Sequence, residues 1–181
     1  MSATVAVQRH SRENAQAIMA RLKGYSFDDL HWLFKEGKTP SFEELEGDTA
    51  GSFLAWNPKT SWRLKLLTLI GFDNPFARWT GKRFVTGFDE DRRGKGINLY
   101  QNRLLLHRFS FATCIKESMF DQDQCLALVY APFPSPMFGT VDELRRIEDG
   151  VFLGQGYHRF PWEKQYSLLV YFVLCALTRP G

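Results

Sequence analysis

The stretch Tyr166-Ser-Leu-Leu-Val-Tyr-Phe-Val-Leu-Cys175, close to the C-terminus, decides the fold of this chain. It is rich in aromatic and β-branched residues, which favour strands, and the turn residue Pro161 stands shortly before it. Its ten residues are about half of the roughly 20 apolar residues that a membrane-spanning helix requires. We therefore predict a buried strand over residues 165–176 that closes a β structure.

Shorter runs of similar composition precede this strand from about Trp79 onward, and turn residues separate them. The best hairpin signal is Glu148-Asp-Gly150, which lies between two apolar runs. The other predicted strands cover residues 83–88, 96–101, 104–115, 124–130, 142–147 and 151–157, with one more near Phe53. At least eight strands are enough to close a barrel around an interior. The predicted fold class is therefore all-β: an antiparallel barrel of about eight to ten strands with an N-terminal helical segment.

The N-terminal part of the chain has a helical pattern. Residues 11–23 begin with Ser11 as the cap, end before Gly24 and carry apolar side chains at helical spacing. Shorter helices are predicted over 26–34 and 41–46. The helical segment is expected to pack against the barrel or to plug one end of it. The predicted organisation is a flexible N-terminus over 1–10, the helical segment over 11–37 and a β-barrel domain over 38–181.

The segment that runs from Trp62 to Ile70 fits two structures. Alternation of Arg63 and Lys65 with apolar neighbours fits a strand, whereas the cap at Ser61 and the scarcity of β-branched residues fit a short helix. We favour a helix that packs over an open end of the barrel. Because Trp and Leu lie beside Arg and Lys, the alternative use is peripheral contact with a membrane surface.

Length and composition narrow the class of protein. The 181 residues, 44% hydrophobic and 24% charged, are ordinary for one globular domain. The net charge of +3 without a basic stripe speaks against a nucleic-acid surface. The widely spaced Cys114, Cys125 and Cys175 predict free thiols in a reducing compartment. Because neither an apolar leader nor a transmembrane run is present, we predict a cytoplasmic protein.

Several short motifs stand in order between about residues 40 and 175. They are Gly47-Asp-Thr-Ala-Gly51, Trp79-Thr-Gly-Lys-Arg-Phe84, Leu128-Val-Tyr130, the acidic and basic run from Asp142 to Gly150, Leu153-Gly154 and the last strand. Together they resemble a family of proteins with a GXWXG domain followed by a companion domain of unknown function. In the first motif the glycines agree, and Thr49 stands where the family has Trp. The resemblance implies a lipocalin-like, or calycin-like, barrel and no settled activity.

The aromatic content of 15% suits a barrel whose inner side chains line an apolar cavity. Alternation along the 104–115 strand places His107, Phe109 and Phe111 on one face and Arg108 on the other. Lys82 has two interpretations: an anchor for a carboxylate or phosphate at the pocket mouth, or a solvated strand end. The predicted ligand-binding residues are Trp56, Trp79, Lys82, Tyr100, Phe109, Phe111, Tyr130, Tyr157, His158 and Tyr171.

Catalytic and metal-binding signatures are absent from the sequence. The four histidines lack the spacing of a metal site, and no Ser-His-acid or Cys-His arrangement is readable. We therefore predict neither a metal nor a cofactor. The candidates for chemistry are His107, as an acid or base near neutral pH, Arg108, as the holder of a ligand anion, and Tyr130. Both His107 and Arg108 have the alternative of a purely structural role.

The sequence is compatible with three functions. The leading hypothesis is binding of a hydrophobic small molecule in the aromatic-lined cavity, as an intracellular carrier or binding protein. The alternative is a cofactor-independent cyclase, isomerase or lyase that acts on an apolar metabolite in the same cavity. The second alternative is a ligand-free interaction module whose barrel is filled by its own side chains. The oligomeric state is left open.

Overall fold

The computed structural model describes residues 8–62, 65, 78–85, 94–101, 109–132 and 137–178. Within these residues eight strands form a closed barrel, in which each strand pairs with its neighbours in the chain and the last returns to the first. All the pairings are antiparallel. The predicted fold class is thus confirmed. The strands are β1 (Gly47–Trp56), β2 (Trp79–Val85), β3 (Lys95–Tyr100), β4 (Ser110–Glu117), β5 (Gln124–Tyr130), β6 (Thr140–Glu148), β7 (Val151–His158) and β8 (Ser167–Ala176).

The observed strands follow the predicted ones, with differences at the ends. The strand predicted over 83–88 begins earlier, because β2 already includes Trp79. Gly81 makes this possible: it has a φ of +146°, and a Cβ there would collide with the carbonyl oxygen of Thr49 on β1. Residues 86–88 and 104–108 of the predicted strands lie outside the described residues.

The helices begin at the predicted caps. They are α1 (Arg12–Lys23), α2 (Phe27–Glu36) and α3 (Phe42–Leu45). The Ser11 hydroxyl accepts a hydrogen bond from the third residue of α1, and a capping box begins α2 at Ser26. The predictions of helices over 11–23, 26–34 and 41–46 therefore agree with the structure to within two residues at each end.

The N-terminal helices both cover the barrel wall and close one barrel end. Leu22 of α1 packs with Val173 of β8, and Phe34 of α2 packs with Leu153 of β7. Leu45 of α3 instead belongs to the apolar cluster inside the barrel. Because β8 faces the barrel interior on one side and the helices on the other, it is apolar along nearly its whole length.

Two predicted segments fall partly outside the described residues. In the predicted flexible N-terminus over 1–10, residues 1–7 lie outside the described residues. His10 of the same segment is buried and donates its backbone N–H to the Ala176 carbonyl at 2.8 Å. The boundary predicted at residue 10 thus falls on a residue that is bound to β8. Of the segment from Trp62 to Ile70, the structure describes Trp62, which is 69% exposed, and Lys65.

Candidate functional site

A cavity of about 300 Å³ occupies the barrel at the end away from α3. Its apolar wall comes from four strands and from the loops before β6 and β8, and it includes the aromatic residues Phe53, Trp79, Phe138, Phe160 and Phe172. The polar floor consists of Lys82, Asn98, Tyr130 and Asp142, from β2, β3, β5 and β6. The cavity therefore joins an aromatic wall to a small set of polar groups.

Lys82 lies inside the barrel because side chains alternate along β2. Arg83 points outward and forms a two-point ion pair with Asp48 at 2.5 and 2.9 Å. Lys82 points inward and is 2% exposed. The sequence interpretations of Lys82, as an anion anchor at the pocket mouth or as a solvated strand end, are therefore corrected: its ammonium lies at the cavity floor.

Every hydrogen of the Lys82 ammonium has an acceptor. Nζ donates to Asn98 Oδ1 at 2.7 Å, to the Tyr130 hydroxyl at 2.5 Å and to Asp142 Oδ2 at 3.0 Å. The Tyr130 hydroxyl donates its own hydrogen to Asp142 Oδ2 at 2.8 Å, so it acts toward Lys82 as an acceptor. A protonated Lys82 supplies the three N–H donors that these three acceptors require.

The orientation of the Asn98 amide is set by its neighbours. Trp79 Nε1, which is a donor only, reaches Asn98 Oδ1 at 3.2 Å, so this atom is the amide oxygen. The amide nitrogen then donates to the Tyr130 hydroxyl, also at 3.2 Å. Asn98 thereby links the aromatic wall to the polar floor.

Aromatic rings surround the Lys82 ammonium. Nζ lies between 5.1 and 5.6 Å from the ring centroids of Trp79, Phe111, Tyr130 and Phe172. These distances are within the range in which a ring face attracts a cation. Together with Asp142 they compensate for part of the cost of holding a charge away from water.

Burial shifts the pKa values of the floor residues. It lowers the pKa of Lys82, and the nearby Asp142 carboxylate opposes this shift. Burial, reinforced by the Asp142 charge, raises the pKa of Tyr130 well above its usual value. Tyr130 is consequently a neutral phenol at neutral pH, and the floor carries one positive and one negative charge.

His158 lies at the rim of the cavity. Its Nδ1 is 3.2 Å from the Thr140 hydroxyl, and its ring meets Phe160 edge to face at 4.5 Å between centroids. Burial lowers the pKa of this histidine, so it is neutral at pH 7. His158 therefore adds no charge to the floor pair.

Half of the predicted ligand-binding residues line this cavity, and most of the others lie near it. Trp79, Lys82, Tyr130, Tyr157 and His158 are lining residues. Of the others, Tyr100 and Phe111 belong to the apolar cluster inside the barrel, and Phe109 packs against it. Trp56 stacks on the lining residue Phe53.

Tyr171 lies outside the cavity, and its assignment to the cavity wall is corrected; Tyr157 borders the cavity, but its hydroxyl donates to Gln155 of the same outer cluster at 2.8 Å. It lies on the outer face of β8 beneath α2, where its hydroxyl is 2.8 Å from His31 Nδ1 and accepts a hydrogen bond from Gln155 at 2.6 Å. Two of the three catalytic candidates, His107 and Arg108, lie outside the described residues.

Sequence reasoning missed Asn98 and Asp142 as site residues. A signal was present, because alternation puts Asn98 on the same face as Tyr100, and Asp142 on the same face as Leu144. A polar residue that shares a face with interior apolar residues points to a buried polar group. The residues that Asn98 and Asp142 contact across the barrel could not be predicted from the sequence of their own strands.

Metal sites and membrane-spanning helices are both absent from the described residues. Among them, no three His, Cys, Asp or Glu side chains come together as a metal site. No helix in the same ranges is long and apolar enough to cross a bilayer. The site that these residues do form is the cavity with its polar floor.

Comparison with known proteins supports the fold. No family model matches the chain, and no curated protein matches it. A solved structure described as a protein from Thermomonospora curvata has a TM-score of 0.51, and the match covers 91% of this chain and 99% of that one. At 15% sequence identity the similarity concerns the fold alone. The fold and the site thus define the class, a closed eight-stranded antiparallel barrel with an interior cavity.

Proposed function

We propose that this protein binds a mainly apolar small molecule inside its barrel. The observation that carries the proposal is the cavity of about 300 Å³ with aromatic walls and a buried polar floor. One water needs only about 10–15 Å³ of such space, so the interior has room for far more than a few waters. This volume argues against the ligand-free interaction module, in which side chains would fill the barrel.

The chemistry of the wall favours an apolar ligand skeleton. Desolvation of apolar surface contributes roughly 25 cal/mol per Å² before the cost of ordering the ligand is subtracted. Phe53, Trp79 and Phe172 pack against one another, with ring centroids 5.0 and 5.8 Å apart. A wall whose rings support one another keeps its shape when the ligand enters, which lowers the ordering cost.

A cavity-filling substitution tests the proposal. In Val170→Phe a larger side chain enters the cavity, and we expect the affinity for the neutral fluorescent probe N-phenyl-1-naphthylamine to fall about tenfold or more. The matched control is Val129→Phe, because Val129 is 41% exposed on the outer face of β5. Probe fluorescence in a titration gives both affinities.

Two results would overturn the proposal. One is failure of the unmodified protein to bind the probe or to retain a small molecule visible by native mass spectrometry. The other is equal weakening by Val170→Phe and Val129→Phe, which would locate the binding outside the cavity.

The pairing of Tyr130 with Asp142 favours a second candidate, a cofactor-independent isomerase, cyclase or lyase. A phenol that donates to a carboxylate inside an apolar cavity offers an acid and a base to one substrate. We expect the protein to speed the exchange of hydrogens beside the carbonyl of decan-2-one in D2O. Tyr130→Phe should lower that rate by roughly a hundredfold. Exchange no faster than without protein would exclude this candidate for enolisable ketones.

The resemblance to the GXWXG-type family and a cytoplasmic location belong to the same proposal. Trp79 and Lys82, both from the second of the motifs on which the resemblance rests, are cavity residues. Free, buried cysteines support a reducing compartment, and burial raises the pKa of Cys125 and of Cys175 to about 12. Peripheral membrane contact through the segment from Trp62 to Ile70 is supported by the exposed indole of Trp62.

A further inference from the structure

The two carboxylate oxygens of Asp142 have different surroundings. Oδ2 accepts hydrogen bonds from Lys82 and Tyr130. Oδ1 has no hydrogen-bond partner within the part of the chain that the structure describes. The Asp142 side chain is 9% exposed and lines the cavity. A charged oxygen with little access to water thus faces the ligand space.

A buried acceptor of this kind favours a ligand that donates a hydrogen bond to it. A ligand that covers Oδ1 without donating to it leaves a charged oxygen unsatisfied at a high desolvation cost, and a hydrogen bond to a charged acceptor is stronger than one between neutral groups. A donor on the ligand would remove that cost. Asp142 Oδ1 is therefore the point at which the floor recognises a polar group.

The other floor groups limit what that polar group is. The three hydrogens of Lys82 are taken, and the Tyr130 hydroxyl donates once and accepts twice. Asn98 has one amide hydrogen beyond the one given to Tyr130. The floor thus offers one strong acceptor and one donor, the complement of a hydroxyl group.

The charge balance of the floor favours a neutral ligand. The Lys82 ammonium and the Asp142 carboxylate form a buried ion pair and cancel each other. An anionic ligand would bring a second negative charge beside Asp142, with the Lys82 hydrogens already in use. Like charges in a poorly solvated site repel strongly.

Gly156 on β7 keeps the space beside Oδ1 open. A Cβ at this position would lie 3.5 Å from Asp142 Oδ1 and 3.0 Å from Val170 Cγ1. A methyl group there would occupy the side from which a ligand reaches the carboxylate. It would leave the bonds of Oδ2 to Lys82 and Tyr130 untouched.

We infer that the ligand is a neutral, mainly apolar alcohol whose hydroxyl group donates to Asp142 Oδ1. The inference rests on the proposed function, since it assigns the polar end of the molecule that the cavity binds. The apolar skeleton lies against the aromatic wall, and the hydroxyl reaches the floor between Asp142 and Asn98. A fatty acid of the same length is excluded by its charge.

Three competitors of equal chain length test this inference. They are decan-1-ol, its isomer methyl nonyl ether, which lacks a donor, and decanoate, each used to displace N-phenyl-1-naphthylamine at pH 8. We expect decan-1-ol to bind roughly tenfold more tightly than the ether or better, as a hydrogen bond to a charged group provides. Decanoate should bind more weakly than the ether.

Variants locate the effect at Asp142. Gly156→Ala should reduce the ratio of alcohol to ether affinity to within about threefold. Asp142→Asn leaves the Lys82 charge uncompensated, and the affinity for decanoate should then exceed the affinity for decan-1-ol. The matched control, Glu148→Gln, changes an exposed carboxylate in the ion pair with Arg21 and should leave the order unchanged. Circular dichroism of each variant verifies that it is folded.

The outcomes separate this inference from the function on which it rests. Equal binding of the alcohol and the ether, or tightest binding of decanoate to the unmodified protein, overturns the inference of an alcohol ligand. Either result is still compatible with binding of an apolar molecule in the cavity. Failure of the probe and of all three competitors to bind overturns the proposed function itself. Retention of the alcohol preference in Gly156→Ala and in Asp142→Asn would overturn the role of Oδ1.

Discussion

At the scale of single residues, the barrel contains a charge where apolar side chains are usual. Lys82 is held by one carboxylate, two neutral acceptors and four ring faces. A buried ion pair contributes little net stability compared with an apolar pair, yet removal of one partner is costly. The pair is therefore better explained by what it offers to a ligand than by what it adds to the fold.

Removal of Lys82 alone should destabilise the protein strongly. In Lys82→Met the Asp142 carboxylate stays buried without its cation, and we expect the free energy of unfolding to fall by about 3–5 kcal/mol. The exposed pair Arg21–Glu148 provides the control, because its side chains are 49% and 47% exposed and Arg21→Ala should cost at most about 1 kcal/mol. Urea unfolding followed by circular dichroism measures both.

The double variant Lys82→Met, Asp142→Leu separates charge from packing. It removes both charges, so most of the lost stability should return. Were Lys82→Met to cost no more than Arg21→Ala, the ion pair would not be buried as described.

At the scale of elements, Arg145 joins helix α2 to the barrel. It lies on the outer face of β6, forms a two-point ion pair with Asp121 at 2.6 and 2.7 Å, and donates to the Phe34 carbonyl at 3.1 Å. Its guanidinium also lies 4.8 Å from the Phe34 ring centroid. A cation at the C-terminal end of a helix is favourable because the helix dipole is negative there.

The Arg145 ion pair predicts a pH dependence of stability. Its hydrogen bonds lower the pKa of Asp121 below the ordinary value of 3.8. A carboxylate with a lowered pKa in the folded state adds stability above its unfolded pKa, and this stability is lost as the pH falls through the folded pKa. The unfolding free energies of the natural protein and of Asp121→Asn should therefore differ most at pH 7.

Urea titrations at pH 7 and at pH 3 measure this difference. This difference in unfolding free energy should narrow at pH 3, because Asp121 of the unfolded chain, with its ordinary pKa of 3.8, is then largely protonated and proton binding favours unfolding. Asp149→Asn, which removes a carboxylate that is 75% exposed, should give a small difference at both values. If the difference in unfolding free energy between the natural protein and Asp121→Asn stayed constant from pH 7 to pH 3, it would contradict a stabilising ion pair between Asp121 and Arg145.

At the scale of the whole molecule, closure of the barrel and formation of the site depend on one another. Backbone pairing between β1 and β2 is described at Gly47↔Phe84 and Asp48↔Arg83. One residue further on, the Thr49 hydroxyl donates to the Lys82 carbonyl at 2.9 Å and accepts from the Lys82 N–H at 3.0 Å. This side chain therefore continues the seam at the residue whose ammonium lies in the floor.

Thr49→Val should loosen the seam. It leaves the backbone groups of Lys82 without their partner, at a cost of about 1–3 kcal/mol, and hydrogen exchange of the Lys82 amide should become faster. Thr49→Ser retains the hydroxyl and should preserve the protection of that amide. Equal exchange in both variants would show that the hydroxyl does not hold the seam.

Much of the architecture was predictable from local patterns. Ser11 and Ser26 act locally on the first turn of a helix, so their positions set the helix starts. The hairpin at Glu148-Asp-Gly150 joins neighbouring strands. The glycine predicted it, because Gly readily adopts a positive φ such as the +71° of Gly150. Alternation also placed Phe109 and Phe111 on one face of the predicted strand, and the structure shows Phe111 in the apolar cluster inside the barrel.

The site was less predictable, because alternation separates two faces without saying which of them is inside. Tyr171 shows the difficulty: from Leu169 onward β8 is buried on both faces, so no alternation of apolar and polar residues distinguishes the cavity side from the side under α2. The roles of Asp142 and Lys82 were equally hidden, because these residues come from strands that are far apart in the chain.

By itself, the sequence determined the strands, the helix caps and the antiparallel barrel, because these depend on neighbouring residues and on the period of the chain. Only the tertiary structure decided that Lys82, Asn98, Tyr130 and Asp142 meet at one floor. Barrel closure brings four strands to a common interior, and a contact across that interior leaves no signal in the spacing of either partner.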